Sequence, residues 1–179
     1  MIPRSAITHW NKQVPWEDIA NVEQDLIITR ALTDIFSDEF LASELAFRGG
    51  TALHKLYLAP QPRYSEDIDL VQINPGPIKP ILFRLGEVLS YLPDKVIKPK
   101  RFNNTMLFRI QSEAPPVVQI RLKVEINCYE HFNAYVGIGA IFTLSNFESM
   151  LSSSSAIRPT RPKTISNVYS FISILLILR

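Results

Sequence analysis

The chain has 179 residues, enough for one domain or one domain with a small extension. Apolar residues make up 46% and charged residues 20%, which excludes an intrinsically disordered chain. A formal net charge of +2 permits a nucleic-acid partner but does not demand one.

Residues Met1 to Pro15 read as a polar lead-in that Trp10, Val14 and Trp16 pin to the body. No apolar run follows the charge at Arg4, so this is not a signal peptide. Pro15 suits a helix start, and Glu17 and Asp18 suit its first turn, where the helix dipole favours acidic groups. From there to Phe36, Ile19, Val22, Leu26, Ile27, Ala31, Leu32 and Ile35 recur at helical spacing. Ser37-Asp38 caps a second, short helix through Leu45. Ala46-Phe47-Arg48 is a short strand that leads into Gly49-Gly50-Thr51.

The glycine pair opens a helical segment, Ala52 to Tyr57. A helix start offers unpaired N–H groups and partial positive charge, which suit a phosphate. Glycine lets the backbone approach the anion, and the Thr51 hydroxyl can cap the helix or donate to a phosphate oxygen. A Pro-containing connection follows, then Arg63-Tyr64-Ser65-Glu66-Asp67-Ile68-Asp69-Leu70. In a strand, Asp67 and Asp69 share one face while Ile68 and Leu70 enter the core. Two carboxylates that close repel each other, so one takes up a proton or a cation sits between them. Mg2+ prefers such oxygen ligands and commonly keeps nucleotide phosphates as further ones. Ser65 is placed to orient Asp67. Arg48 and Arg63 flank the pair. His54 and Lys55 are expected on the solvated helix surface.

Asn74-Pro75-Gly76-Pro77 is a turn. Ile78 to Leu92 reads as a helix with Ile81, Leu82, Leu85, Val88, Leu89 and Leu92 on one side. Three strands are expected next, over Lys95 to Phe102, Thr105 to Gln111 and Val117 to Cys128. Asn103-Asn104 is the expected turn between the first two, since Asn tolerates positive φ. In the third, Ile120, Leu122, Val124 and Ile126 alternate with Arg121, Lys123, Glu125 and Asn127. Placed beside the aspartate strand, Glu125 would add a third carboxylate and Lys123 a charge for a phosphate. Cys128 alone excludes an intrachain disulfide and fits a reducing compartment; it reads as a buried thiol. The three histidines are not spaced as metal ligands.

Phe47-Arg48-Gly49-Gly50-Thr51-Ala52-Leu53 followed by Tyr64-Ser65-Glu66-Asp67-Ile68-Asp69-Leu70 resembles the signature of polymerase-beta-like nucleotidyltransferases. More narrowly, it resembles the AbiEii/AbiGii-type toxins of abortive-infection and toxin–antitoxin pairs. The resemblance runs from about Trp10 through Glu125 and weakly to about Asn146, and Val22-Glu23-Gln24-Asp25-Leu26 also fits it. It implies an α/β (α+β) fold, a small mixed sheet flanked by helices. It further implies nucleotidyl transfer from an NTP with Mg2+, an RNA (tRNA) or protein acceptor, and an antitoxin partner. Asp67, Asp69 and Glu125 would then be catalytic, with Asp67 and Asp69 on the metal. Gly49, Gly50, Thr51, Ser65 and Lys123 would hold the nucleotide phosphates.

The nucleotidyltransferase-like domain is expected over residues 1–150. Residues 151–179 differ in composition: Ser152 to Ser155, then basic and proline-rich Arg158 to Lys163, then apolar Ile172 to Leu178. That run is far short of the ~20 residues of a bilayer span, so the expected location is cytoplasmic, with no membrane partner. Members of the resembled family continue with a Lys-Leu-x-Ala-Leu-like helix and an Arg-Asp-x-x-Asp-like segment. Neither follows Met150 here, which fits a truncation or frameshift near that residue. An inactive remnant that binds nucleotide or an antitoxin is the alternative.

Overall fold

Residues 2–57 and 63–131 are described in the computed structural model of the chain. The lead-in is not irregular: Arg4–Trp10 form helix α1, with Ile7 and Trp10 buried. Seven residues are too few to show periodicity in the sequence or to hold a helix in water. Packing against the next helix stabilises it. That helix, α2, is Ile19–Ser37, and it starts at Asp18 rather than Pro15 because the Asp18 carboxylate accepts the Ala20 N–H at 2.9 Å. Asp38 caps α3 (Glu39–Glu44) in the same way, accepting the Leu41 N–H at 3.0 Å.

The remaining elements are β1 (Leu45–Arg48), α4 (Gly49–Tyr57), β2 (Asp67–Gln72), α5 (Ile78–Val88), β3 (Val96–Pro99), β4 (Asn103–Gln111) and β5 (Gln119–Asn127). The Asn103-Asn104 turn expected from the sequence is not there. Both residues belong to β4, where Asn104 pairs with Pro99 and Ile126. The chain turns instead at Lys100 to Phe102. The positive φ outside glycine, 49°, falls at Asp94, ahead of β3.

The five strands lie in the order β1-β2-β5-β4-β3. β2 and β5 are parallel, and the other neighbours are antiparallel. This mixed sheet with helices confirms the expected fold class. One face carries Ile68, Leu70, Met106, Phe108, Ile110, Ile120, Leu122, Val124 and Ile126, all buried in one core in which α2 packs on β2 and β5, and α5 packs on α2 and α3. Burying a side chain of this size stabilises the fold by about 1.5–3 kcal/mol. The other face is polar and charged.

Three consecutive polar residues in α2 are buried inside this core and each ties down a different piece. Glu23 accepts the N–H groups of Glu113 and Ala114 at 2.8 and 3.2 Å, in the β4–β5 connection. Gln24 donates to the carbonyl of Arg121 at 2.8 Å. Asp25 accepts from the indole N–H of Trp10 at 2.9 Å and pairs with Lys55 at 2.8 Å. Lys55 is therefore not solvated as expected; its side chain is only 7% exposed. The side chain of His54, and the whole of residues 132–179 including the tail and its proposed boundary at Met150, lie outside the described residues.

Candidate active site

The alternation in β2 comes out as the sequence implies. Ile68 and Leu70 are buried, while Asp67 and Asp69 are half-buried on the polar face. The register adds the neighbours. Arg48 of β1 lies opposite Asp69 on one side, and Glu125 of β5 on the other. Lys123 lies opposite Asp67. Five ionisable groups on three strands thus share one patch.

The glycine turn abuts this patch. Gly49 has φ +81°, a conformation that L side chains rarely adopt. A Cβ on it would come within 2.4 Å of the Asp69 Oδ2, so the carboxylate packs directly on the glycine backbone. Gly50 is different: a Cβ there would meet nothing within 4 Å, leaving open space over the first turn of α4. The Thr51 hydroxyl neither caps α4 nor is free to donate to a phosphate. It donates to the Asp67 carbonyl at 2.7 Å and so staples α4 to β2. What α4 can offer an anion is its first N–H groups, which have no partner within a helix.

The charges interact as their spacing requires. Burial holds the Asp69 carboxyl above the ordinary carboxylate range, with Asp67 and Glu125 adding to the rise; Lys123 and Arg48 oppose it. Lys123 Nζ sits 2.7 Å from Asp67 Oδ2 and 3.7 Å from Glu125 Oε1. The hydrogen bond to Asp67 raises the ammonium's pKa, chiefly by favouring its charged form. The sequence offered Lys123 as a phosphate ligand; here it is engaged by carboxylates. Glu125 also accepts a long hydrogen bond from Thr105 Oγ1 at 3.4 Å. Arg48 pairs with Glu130, which bridges β1 to the chain beyond β5.

An ammonium drawn between these carboxylates marks a position that attracts cations, and carboxylate oxygens suit a hard one. Among the described residues, no three acidic, histidine or cysteine side chains converge on a single point. A hard cation such as Mg2+ is typically held by one or two carboxylates, with phosphates and waters completing the shell. Asp67 and Asp69 would be those ligands.

The other candidates make none of these contacts. Among the described residues no hydrogen bond joins Ser65 to Asp67, and Arg63 is exposed. Cys128 is half-buried rather than buried; its sulfur accepts from Asn104 Nδ2 at 3.3 Å. His131 meets the Gln72 carbonyl at 3.1 Å, and His9 meets Gln13 at 2.8 Å. Sequence reasoning missed the buried Asp25–Lys55 pair. The available signal was Asp25, at helical spacing from the apolar Val22 and Leu32.

The family model described as "Nucleotidyl transferase AbiEii toxin, Type IV TA system" matches residues 30–162. The chain belongs to the AbiEii family. Comparison with curated proteins gives no match. Among solved structures, this AbiEii chain is similar to JHP933 from Helicobacter pylori, with 23% identity, a TM-score of 0.45, and coverage of 64% of this chain and 46% of that one. It is also similar to MenT4, a nucleotidyltransferase toxin from Mycobacterium tuberculosis, with 17% identity, a TM-score of 0.45, and coverage of 72% and 44%. The chain thus spans less than half the length of these structures. No helix among the described residues is long and apolar enough to cross a membrane.

Proposed function

We propose that this AbiEii chain carries the metal- and phosphate-binding half of a nucleotidyltransferase that transfers a nucleotidyl group from an NTP to an RNA acceptor of tRNA type. It would act as the toxin of a toxin–antitoxin pair, in the cytoplasm, held in check by an antitoxin protein. The observation that carries the reading is the contact of the Asp69 carboxylate with the Gly49 backbone. A carboxylate packed against the start of α4 supports a metal and a triphosphate sharing that corner.

Gly49, Gly50 and Thr51 present backbone N–H groups to the phosphates, with Ser65 as a further contact. Asp67 and Asp69 would hold Mg2+. When bound, the metal supplies charge neutralisation at the reacting phosphate. Lys123 leaves Asp67 and meets a phosphate oxygen. The acceptor hydroxyl oxygen forms a bond to the α-phosphorus, the bond from that phosphorus to the bridging oxygen breaks, and pyrophosphate departs. Glu125 takes the hydroxyl proton. Little covalent chemistry falls to the protein, because positioning and charge stabilisation dominate such transfers.

The test is transfer of label from an α-labelled NTP with Mg2+. Label that disappears with Asp67→Ala and with Asp69→Ala supports the reading. A second reading is favoured by the short Lys123–Asp67 pair in the cation position: a remnant that binds nucleotide or antitoxin without transfer. Nucleotide binding with no transferred label would select it. The domain assignment, 1–150 with a separate tail over 151–179, is part of the same proposal.

A further inference from the structure

The polar face of the sheet continues past the carboxylates. Arg109 of β4 and Arg121 of β5 are directly opposite each other in the ladder. Both are exposed. No carboxylate among the described residues pairs with either. Like charges set opposite on neighbouring strands cost stability, and a guanidinium cannot shed its charge. Gln24 fixes the strand beneath by holding the Arg121 carbonyl from the core side at 2.8 Å.

Position narrows the choice of anion. Arg121 lies two residues along β5 from Lys123, on the same face and roughly 7 Å away. The glycine turn lies on the opposite flank, beyond β2 at the end of β1. A triphosphate seated on Gly49 and Gly50 therefore leaves the arginines free. What the chemistry still lacks is a hold on the acceptor. A polyanionic acceptor must bring its hydroxyl up to Asp67, Asp69 and Glu125, which repel it. Two guanidinium groups with no carboxylate partner among the described residues, one row from Asp67 and two from Asp69 and Glu125, offset that repulsion.

We propose that Arg109 and Arg121 dock the phosphate backbone of a single-stranded RNA acceptor on the open sheet face, with its reacting end directed at Asp67 and Asp69. This rests on the nucleotidyl-transfer reading and specifies where its acceptor binds.

The test is binding of a fluorescent single-stranded oligouridylate to the full 179-residue chain, without NTP or metal, across a salt series. The double variant R109Q/R121Q removes exposed groups and relieves their repulsion, so it melts no lower than wild type. Its affinity falls about tenfold, and its log–log salt slope is shallower by about 1.4. The control K12Q/K79Q removes the same charge from exposed positions outside the sheet and leaves both unchanged. Unchanged binding by R109Q/R121Q overturns the proposal. So does an equal loss in the control, which would reduce the effect to bulk charge, and so does a wild-type chain that binds no RNA. Label transfer that persists in the last case would leave nucleotidyl transfer standing and remove only the RNA dock.

Discussion

Two lysine–aspartate pairs in this molecule have nearly the same length and opposite uses. Lys55 lies 2.8 Å from Asp25, with side chains 7% and 2% exposed. Lys123 lies 2.7 Å from Asp67, with side chains 34% and 39% exposed. The Lys55 ammonium also reaches Thr29 Oγ1 at 2.8 Å and the Asp25 carbonyl at 3.4 Å, so its three donors have three acceptors. Asp25 in turn holds Trp10. Such a pair is closed: it joins α1, α2 and α4 and has no room for another ion. The Lys123 pair is open to solvent and shares its cation with Glu125. In the proposed site this ammonium gives way to another cation. Burial, and not the ion pair's geometry, separates the structural bridge from the proposed site.

The largest stability effect is expected where the closed pair is broken. Lys55→Met leaves Asp25 charged and unpaired in the core and costs about 3–5 kcal/mol, read from the denaturant midpoint. Lys123→Met on the open face costs less than about 1 kcal/mol in the same experiment. Equal costs for the two would erase the distinction.

Gly49→Ala comes next. It forces an unfavourable φ and drives the Asp69 carboxylate aside, at a cost of roughly 1–3 kcal/mol. Gly50→Ala, which meets no neighbour, is near neutral in stability by the same denaturant midpoint. A reversed order would show that Asp69 does not rest on the turn.

The smallest effect is a pH dependence. The folded Asp69 carboxyl lies above its ordinary value. Ionising it therefore costs the folded state more than the unfolded one. The penalty accumulates as pH rises from the ordinary carboxylate value of about 4 to the raised one, and is constant above that. Asp69→Asn removes it. The variant is slightly more stable than wild type at pH 7 without metal, and the gap closes below about pH 4. A gap that widens in acid would contradict the assigned sign.

Much of this was legible in the chain. The alternation of Ile120, Leu122, Val124 and Ile126 against charged residues places β5 and its polar face unaided. The Asp67-Ile68-Asp69 spacing gives the shared face of the acids. The glycine pair marks the turn, though only the fold shows that it touches Asp69. What was not legible depends on contacts between distant segments. Periodicity cannot say that Lys55 meets an aspartate 30 residues earlier. It cannot say that Thr51 spends its one hydroxyl proton on a strand carbonyl, or that Arg109 faces Arg121. The turn at Asn103-Asn104 failed because strand pairing outweighed a local preference for positive φ.

The central claim is that Asp67 and Asp69 hold a hard cation together with a triphosphate. Mn2+ reports on such a site, since carboxylate and phosphate oxygens suit it as they suit Mg2+. The direct measurement is the free Mn2+ paramagnetic signal titrated with protein in the presence of an NTP. Wild type is predicted to deplete that signal beyond what the NTP alone does, and D67N/D69N to lose the extra depletion while melting as a folded protein. Undiminished depletion by the folded double variant would contradict the account.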